Sequence, residues 1–115
     1  DGVVVGVEAG TRVPAGYAQV DATGKWVTPG IIAGISQIGS AEVAGDDSAN
    51  DQSARTAAGA AALMLETALN PNETSIPVSR QEGVTTAVVG PAPGRTLFAG
   101  QGFVLSLGAG TTAPL

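Results

Sequence analysis

The 115-residue sequence contains neither cysteine nor histidine. The chain therefore supplies no thiolate or imidazole ligand to zinc, iron, nickel or copper. It cannot form a Ser-His-Asp or Cys-His catalytic group, and no disulfide stabilises it. Any chemistry within these residues depends on carboxylates, hydroxyls, amides or lysine.

Aromatic residues and cations are also scarce. Aromatic side chains make up 3% of the chain, and five Lys plus Arg residues are scattered singly within a net charge of −5. Because binding to a phosphate backbone needs clustered cations, nucleic acid is not an expected partner. No apolar run approaches the roughly 20 residues of a membrane span, so a membrane-spanning segment is not expected.

Hydrophobic residues reach 43% and glycines number 17, which is typical of one domain, or a piece of a larger one, with a core of small side chains. Short β-branched or alternating runs predict strands at residues 3–7, 17–21 and 26–28, with a tight turn at 22–25. Together they predict a small antiparallel β-meander. The chain opens at Asp1-Gly2 within this pattern, so further residues are expected upstream.

The rest of the chain alternates between strand and helix patterns. Apolar runs at residues 31–38 and 83–90 predict two buried parallel strands, and the alanine-rich run 53–69 predicts the helix between them. Residues 76–78 are predicted to be extended. A last strand is predicted at 103–107, and residues 108–115 are expected to trail off. This βαβ unit and meander leave sheet faces and edges uncovered, which is not typical of a finished domain.

Two loops invite a binding interpretation. The acidic run 46–51 offers clustered oxygens for calcium, but an EF-hand alignment starting at Asp46 puts Asp51 at the glycine position and Ala57 at the bidentate glutamate position. A solvated loop that caps a helix is favoured. Residues 90–95 contain glycine but no Gly-Lys-Ser/Thr, which favours a rigid turn over a phosphate-binding loop.

Single residues have competing interpretations as well. Glu42 follows the first buried strand and is expected to be a solvated carboxylate. Trp26 is expected to anchor the meander, and Lys25 to carry a turn charge. Asn72 begins an Asn-Glu-Thr triplet, a glycosylation acceptor pattern that often matches by chance.

Residues 20–32 read Val-Asp-Ala-Thr-Gly-Lys-Trp-Val-Thr-Pro-Gly-Ile-Ile. This segment resembles the entry into the first barrel strand of amidohydrolase-superfamily enzymes. Similar ordered segments follow at residues 68–72, 76–80, 82–91 and 98–102, and these resemble the imidazolonepropionase-like branch. In that family the strand continues as Asp-x-His-x-His, and both histidines bind the catalytic metal.

The resemblance implies an α/β fold in which residues 1–29 belong to a composite β-domain and residues 30–115 begin a (β/α)₈ barrel, incomplete in this chain. The two histidine positions fall on Ile35 and Gln37. Ile35 has no donor atom, and Gln37 offers one weak carbonyl oxygen. The first-strand metal site is therefore expected to be degenerate, and a divalent metal would need residues outside this chain.

The activity implied by the resemblance is hydrolysis of C–N bonds by a metal-bound hydroxide, with a small amide or cyclic amide as substrate. The chain alone is not expected to be catalytic, because the remainder of the barrel or a second polypeptide is needed. Gln37 could face such a site, or simply end the strand with a backbone partner. The branch is often exported, which favours the periplasm or secretion.

Two other functional classes remain open at this stage. One is a structural or binding module that keeps the amidohydrolase scaffold without its chemistry. The other is an independent small β-rich domain unrelated to a barrel, which fits the composition but leaves the ordered matches as coincidence.

Overall fold

A computed structural model describes residues 3–10, 12–41, 46, 50, 52–53, 60–92, 98–108 and 111–115. Within these residues one four-stranded mixed sheet has the order β1-β2-β3-β4. The strands are β1 Ile31–Ser36, β2 Val84–Val89, β3 Phe103–Gly108 and β4 Thr111–Pro114. β1 pairs parallel with β2, whereas β2 with β3 and β3 with β4 pair antiparallel.

The predicted parallel pair is confirmed, but the prediction that both strands are fully buried is wrong. Ile32 and Ile35 of β1 are 68% and 86% exposed. In β2 only Ala87 and Val89 are buried, at alternate positions. The reason is that the helical segments cover one face of the sheet, so side chains on the other face meet solvent.

Among the described residues, a helix between the two parallel strands lies later in the chain than the predicted one. It is α1, Ser75–Gln81, and it includes residues that were expected to be extended. Pro77 is compatible with the helix because it lies in the first turn, where backbone N–H groups have no partner within the helix. Gly83, with φ +90°, follows the end of α1 and turns the chain into β2.

The predicted helix over residues 53–69 is wrong in its described C-terminal half, while residues 54–59 lie outside the described part. Residues 61–64 form a turn and a β-bridge, and Leu65–Ala68 is a 3₁₀ helix. The N–H of Leu65 donates to the Gln101 carbonyl at 3.1 Å, and the Gln101 N–H donates to the Leu63 carbonyl at 2.8 Å. These bonds to Gln101 use backbone groups that an α-helix would need for its own hydrogen bonds. Tertiary pairing therefore outweighs the high helix propensity of the alanine-rich run.

The core lies between one sheet face and the helical segments. Its buried members are Leu65, Ile76, Ala87, Val89, Leu105 and Leu107. The alternation along β2 and β3 places their buried side chains on the same face, as a half-covered sheet requires.

The C-terminal end forms β4, so the prediction that residues 108–115 trail off is wrong in the described residues 111–115. Arg80 of α1 connects the helix to this end of the sheet. Its Nε donates to the Leu107 carbonyl at 2.6 Å, and its Nη2 donates to the Thr112 hydroxyl at 3.4 Å. The pairing of β2 with β3 ends at Thr86 and Ser106. Arg80 thus bonds to the Leu107 carbonyl, which lies just beyond the end of that pairing.

Residues 3–10 and 12–30, called the N-terminal arm below, contain no strand, so the predicted β-meander is not formed. Most of the arm is exposed, including Val5 at 84% and Trp26 at 95%. The predicted anchoring role of Trp26 is thus wrong within this chain. Short strands without a covering layer are marginal in water, which accounts for the difference.

The tight turn predicted at residues 22–25 is confirmed, since the Lys25 N–H donates to the Ala22 carbonyl at 2.9 Å. The Thr23 hydroxyl and backbone N–H both donate to the Asp21 carboxylate, at 2.6 and 2.9 Å. These bonds favour the ionised carboxylate and lower the pKa of Asp21. No described helix is long and apolar enough to cross a membrane.

Candidate functional site

The carboxyl ends of the two parallel strands form the candidate site, because ligands of open α/β sheets bind outside such ends. The Gly90 N–H donates to the Ser36 carbonyl at 2.9 Å. The Ser36 hydroxyl donates to the Val88 carbonyl at 3.2 Å. These bonds hold the last residues of β1 and β2 side by side, and the loops that follow both strands begin at this edge.

Gly34 sets the direction of the side chains near this edge. The register pairs Ala33 with Ala87 and Ile35 with Val88, so an irregularity falls at Gly34. Ala33 packs against the core, whereas Ile35 lies on the opposite face with Val88. Without that irregularity, residues 33 and 35 would share a face. The sheet face opposite α1 therefore presents Ile35 to solvent.

Gln37 follows the last residue of β1 and is half-buried. Its backbone carbonyl accepts from the Ser40 N–H at 3.1 Å and from the Ser40 hydroxyl at 2.5 Å. Its side-chain amide makes no hydrogen bond with another described residue. The backbone partner that the sequence allowed is present.

The turn after β1 is fixed by buried neighbours. Ser40 is 1% exposed, and the Gly39 carbonyl accepts from the Asn70 N–H at 2.7 Å. A Cβ on Gly39 would lie 2.7 Å from Leu69 Cδ1, and its φ of +83° favours glycine. The segment that carries Gln37 is thus anchored to the residues before α1.

Asn50 and Gln52 join this edge, although the sequence analysis did not single them out. Ala41 forms a β-bridge with Asn50, and the Ala92 N–H donates to the Gln52 carbonyl at 2.7 Å. The Asn50 side chain bonds to Gln52 twice, at 2.9 Å to the backbone N–H and 3.3 Å to the side chain. In the sequence these residues are marked only as two amide side chains after the first strand. Their position at the site depends on the tertiary contacts with Ala41 and Ala92.

The described polar side chains at this edge are hydroxyls and amides. Such groups orient a ligand by hydrogen bonds, but they neither attack a substrate nor shuttle protons readily at neutral pH. Ile35 and Gln37 do not fit a catalytic zinc ion, which prefers His, Cys or carboxylate ligands. The described residues contain no group of three or more His, Cys, Asp or Glu placed to hold a metal.

Several predicted site residues lie outside the described part of the chain. These are Glu42, Asp47, Asp51, Ala57 and Arg95. Asp46 is described and exposed. The calcium, solvated-loop and rigid-turn interpretations of these two loops therefore stay predictions.

Asn72 lies in an exposed turn before α1, where its N–H donates to Asn70 Oδ1 at 3.0 Å. The acceptor triplet is thus sterically accessible. Nothing else in the described structure distinguishes it from a chance match.

Comparison with known proteins adds one structural finding. The chain resembles the crystal structure of an amidohydrolase from Thermotoga maritima MSB8, with a TM-score of 0.74 and 25% sequence identity. The fold is that of part of an amidohydrolase. The match covers 89% of this chain and 27% of the Thermotoga protein, so the chain spans about a quarter of that protein's length. No protein-family model and no curated protein matches the sequence.

This finding supports an amidohydrolase-like scaffold. The resemblance noted in the sequence is thereby supported at the level of the superfamily. The imidazolonepropionase-like branch, the composite β-domain and the barrel remain proposals.

Proposed function

We propose that this chain is the first part of an amidohydrolase-like hydrolase that acts on C–N bonds of small amides or cyclic amides. The observation that carries the proposal is the structural likeness to the Thermotoga amidohydrolase over 89% of this chain. The parallel pair β1–β2 supports it, because a (β/α)₈ barrel is built from parallel strands. β3 and β4 are antiparallel and would lie outside that barrel's strand pattern.

In this proposal the face opposite α1 is the barrel interior. Barrel strands carry helices outside and side chains inside, so Ile35 and Val88 would face inward at the catalytic end. Ile35 and Gln37 would occupy the positions at which the family carries its first-strand histidines. Metal ligands would come from residues outside this chain, and a periplasmic or secreted location is proposed by the same analogy.

The contribution of these residues to catalysis would be binding and orientation. The Gln37 amide and the Asn50–Gln52 pair can accept and donate hydrogen bonds to an amide substrate, while Ile35 supplies an apolar wall. No step of hydrolysis is assigned to them, since none is a nucleophile activated by a base.

The test compares the 115-residue chain with the natural gene product isolated from its own organism. Both are assayed against a panel of N-acyl and cyclic amides, with and without a chelator. We expect hydrolysis by the natural product, loss of activity on chelation, and none by the 115 residues alone. If the natural product hydrolyses none of the amides in the panel, the proposed hydrolase activity is contradicted.

The second candidate is a binding module that keeps the scaffold without the chemistry. It is favoured by one specific observation, the absence of a suitable zinc ligand at Ile35 and Gln37. The two candidates are separated by thermal-shift measurements with the same amides on the natural product. Binding without turnover would favour the module.

A further inference from the structure

The residue that precedes Gly102 lies beside the carboxyl ends of the two parallel strands. Gly102 packs against the end of β2, because a Cβ on it would collide with the Val89 carbonyl oxygen and would lie 3.1 Å from the Gly90 Cα. The Gly90 N–H in turn donates to the Ser36 carbonyl at the end of β1. Gln101 is therefore one residue away from the edge that forms the candidate site.

The backbone of Gln101 is fixed on both sides. Its N–H donates to the Leu63 carbonyl at 2.8 Å, and its carbonyl accepts from the Leu65 N–H at 3.1 Å. Gly100 precedes it with φ +123°, and a Cβ there would lie 2.7 Å from the Leu63 carbonyl oxygen. Such a conformation and so close an approach both require glycine. These contacts hold Gln101 in place without using its side chain.

The side chain of Gln101 has a different status from its backbone. It is exposed, and it makes no hydrogen bond with another described residue. Because glycines flank it, it is the one side chain that residues 100–102 present. The described contacts thus require glycine at positions 100 and 102, but they place no demand on the residue type at position 101. A rigid backbone that presents a single polar side chain beside a ligand-binding edge is suited to recognition.

We propose that Gln101 is a further substrate-binding residue, whose side-chain amide forms hydrogen bonds with the amide group of the substrate. This inference rests on the proposed function, since it names a residue that recognises the same small amides. A glutamine amide offers a carbonyl acceptor and N–H donors, and these complement the N–H and carbonyl of a substrate amide. Because the backbone at Gln101 is already ordered, binding does not have to order it.

A ring amide with a free N–H is the sharpest probe of this pairing. In an open-chain amide the N–H and the carbonyl point in opposite directions, because the peptide-like bond is trans. A small ring holds both groups on the same side, so one glutamine amide can bond to both. Methylation of the ring nitrogen removes the donor and leaves the Gln101 carbonyl oxygen without that partner.

The experiment measures kcat and KM of the full-length natural gene product for a five-membered ring amide and for its N-methyl derivative. Gln101→Ala should raise KM for the N–H compound about 3–10-fold and leave kcat within about twofold, because the lost bonds contribute to binding. KM for the N-methyl compound should rise less. Gln81→Ala is the matched control: it makes the same change at the exposed last residue of α1, at the other end of the sheet, and should leave KM unchanged.

Thermal unfolding separates recognition from a structural role. Gln101→Ala should melt within about 2 °C of the unaltered protein, because only an exposed side chain is removed. If it does not fold, Gln101→Glu takes its place: glutamate keeps nearly the same shape, lacks the N–H donors and should also raise KM.

The outcomes distinguish this inference from the proposed function. Hydrolysis with the same KM in the unaltered protein and in the Gln101 variants would overturn the role of Gln101 and leave the hydrolase standing. Equal effects of the Gln81 and Gln101 variants would overturn it as well. A gene product that hydrolyses neither compound nor any amide of the panel would contradict the hydrolase, and this inference with it.

Discussion

At the scale of single residues, Gly34 decides what the carboxyl end of β1 presents. The irregularity there separates Ala33, which packs on the core, from Ile35, which is 86% exposed on the other face. A side chain at position 35 therefore lies where a ligand could reach it. Position 37, two residues further, is expected to project in a similar direction.

This geometry predicts the outcome of restoring the family's residue type. The double variant Ile35→His/Gln37→His should bind Zn²⁺ with a Kd of about 1–100 μM, because two imidazoles two residues apart converge on one ion. The variant Ile35→His/Ser36→His is the matched control, since adjacent residues of a strand point to opposite faces. Calorimetry with zinc chloride measures both. Equal affinity for the two variants would show that position 37 does not share the face of position 35.

At the scale of elements, the short helix α1 is held by its last turn. Arg80 lies near the C-terminal end of the helix, where a cation is favoured, and donates to both β3 and β4. The half-buried guanidinium thereby ties three elements together. A seven-residue helix has little stability of its own, so tertiary contacts of this kind must supply it.

Arg80→Met should lower the free energy of unfolding by about 1.5–3 kcal/mol, because a charged donor is removed from a half-buried carbonyl. Arg12→Met, in the exposed arm, makes the same chemical change and should alter stability by less than about 0.5 kcal/mol. Urea unfolding followed by circular dichroism checks both values. If the two variants unfold at the same urea concentration, the contacts of Arg80 carry no stability.

The elements also show what the sequence could predict. Strands β1, β2 and β3 follow from apolar runs bounded by glycine, and each forms close to its expected position. The predicted helix fails over residues 61–69, because Leu63 and Leu65 bond to Gln101 despite the helix propensity of the run. The helix α1 was missed because Pro77 in its first turn favoured an extended interpretation. Asn50 and Gln52 were missed because their pairing with Ala41 and Ala92 is a tertiary contact that no local sequence pattern encodes.

At the scale of the whole molecule, the core cluster is built without the N-terminal arm. None of the six buried residues that form the core cluster comes from the arm. Deleting residues 1–29 should therefore change the free energy of unfolding of the sheet by less than about 0.5 kcal/mol. Thermal unfolding of the shortened chain measures this change.

Leu105→Ala provides the comparison for that deletion. Leu105 is fully buried, and its truncation should cost about 2–5 kcal/mol through lost burial and a cavity. A deletion as damaging as this substitution would mean that the arm contributes to the folded core.

Pro114 has a consequence for how far association at the sheet can extend. The Leu115 N–H bonds to β3, and inward and outward groups alternate along an antiparallel strand, so the nitrogen of Pro114 lies on the outer side of β4. That side lacks a donor where a further strand would need one. The β4 edge therefore resists the addition of a further strand. Growth of the sheet by repeated edge-to-edge pairing needs donors on both edges, so the proline disfavours a fibre that grows through β4.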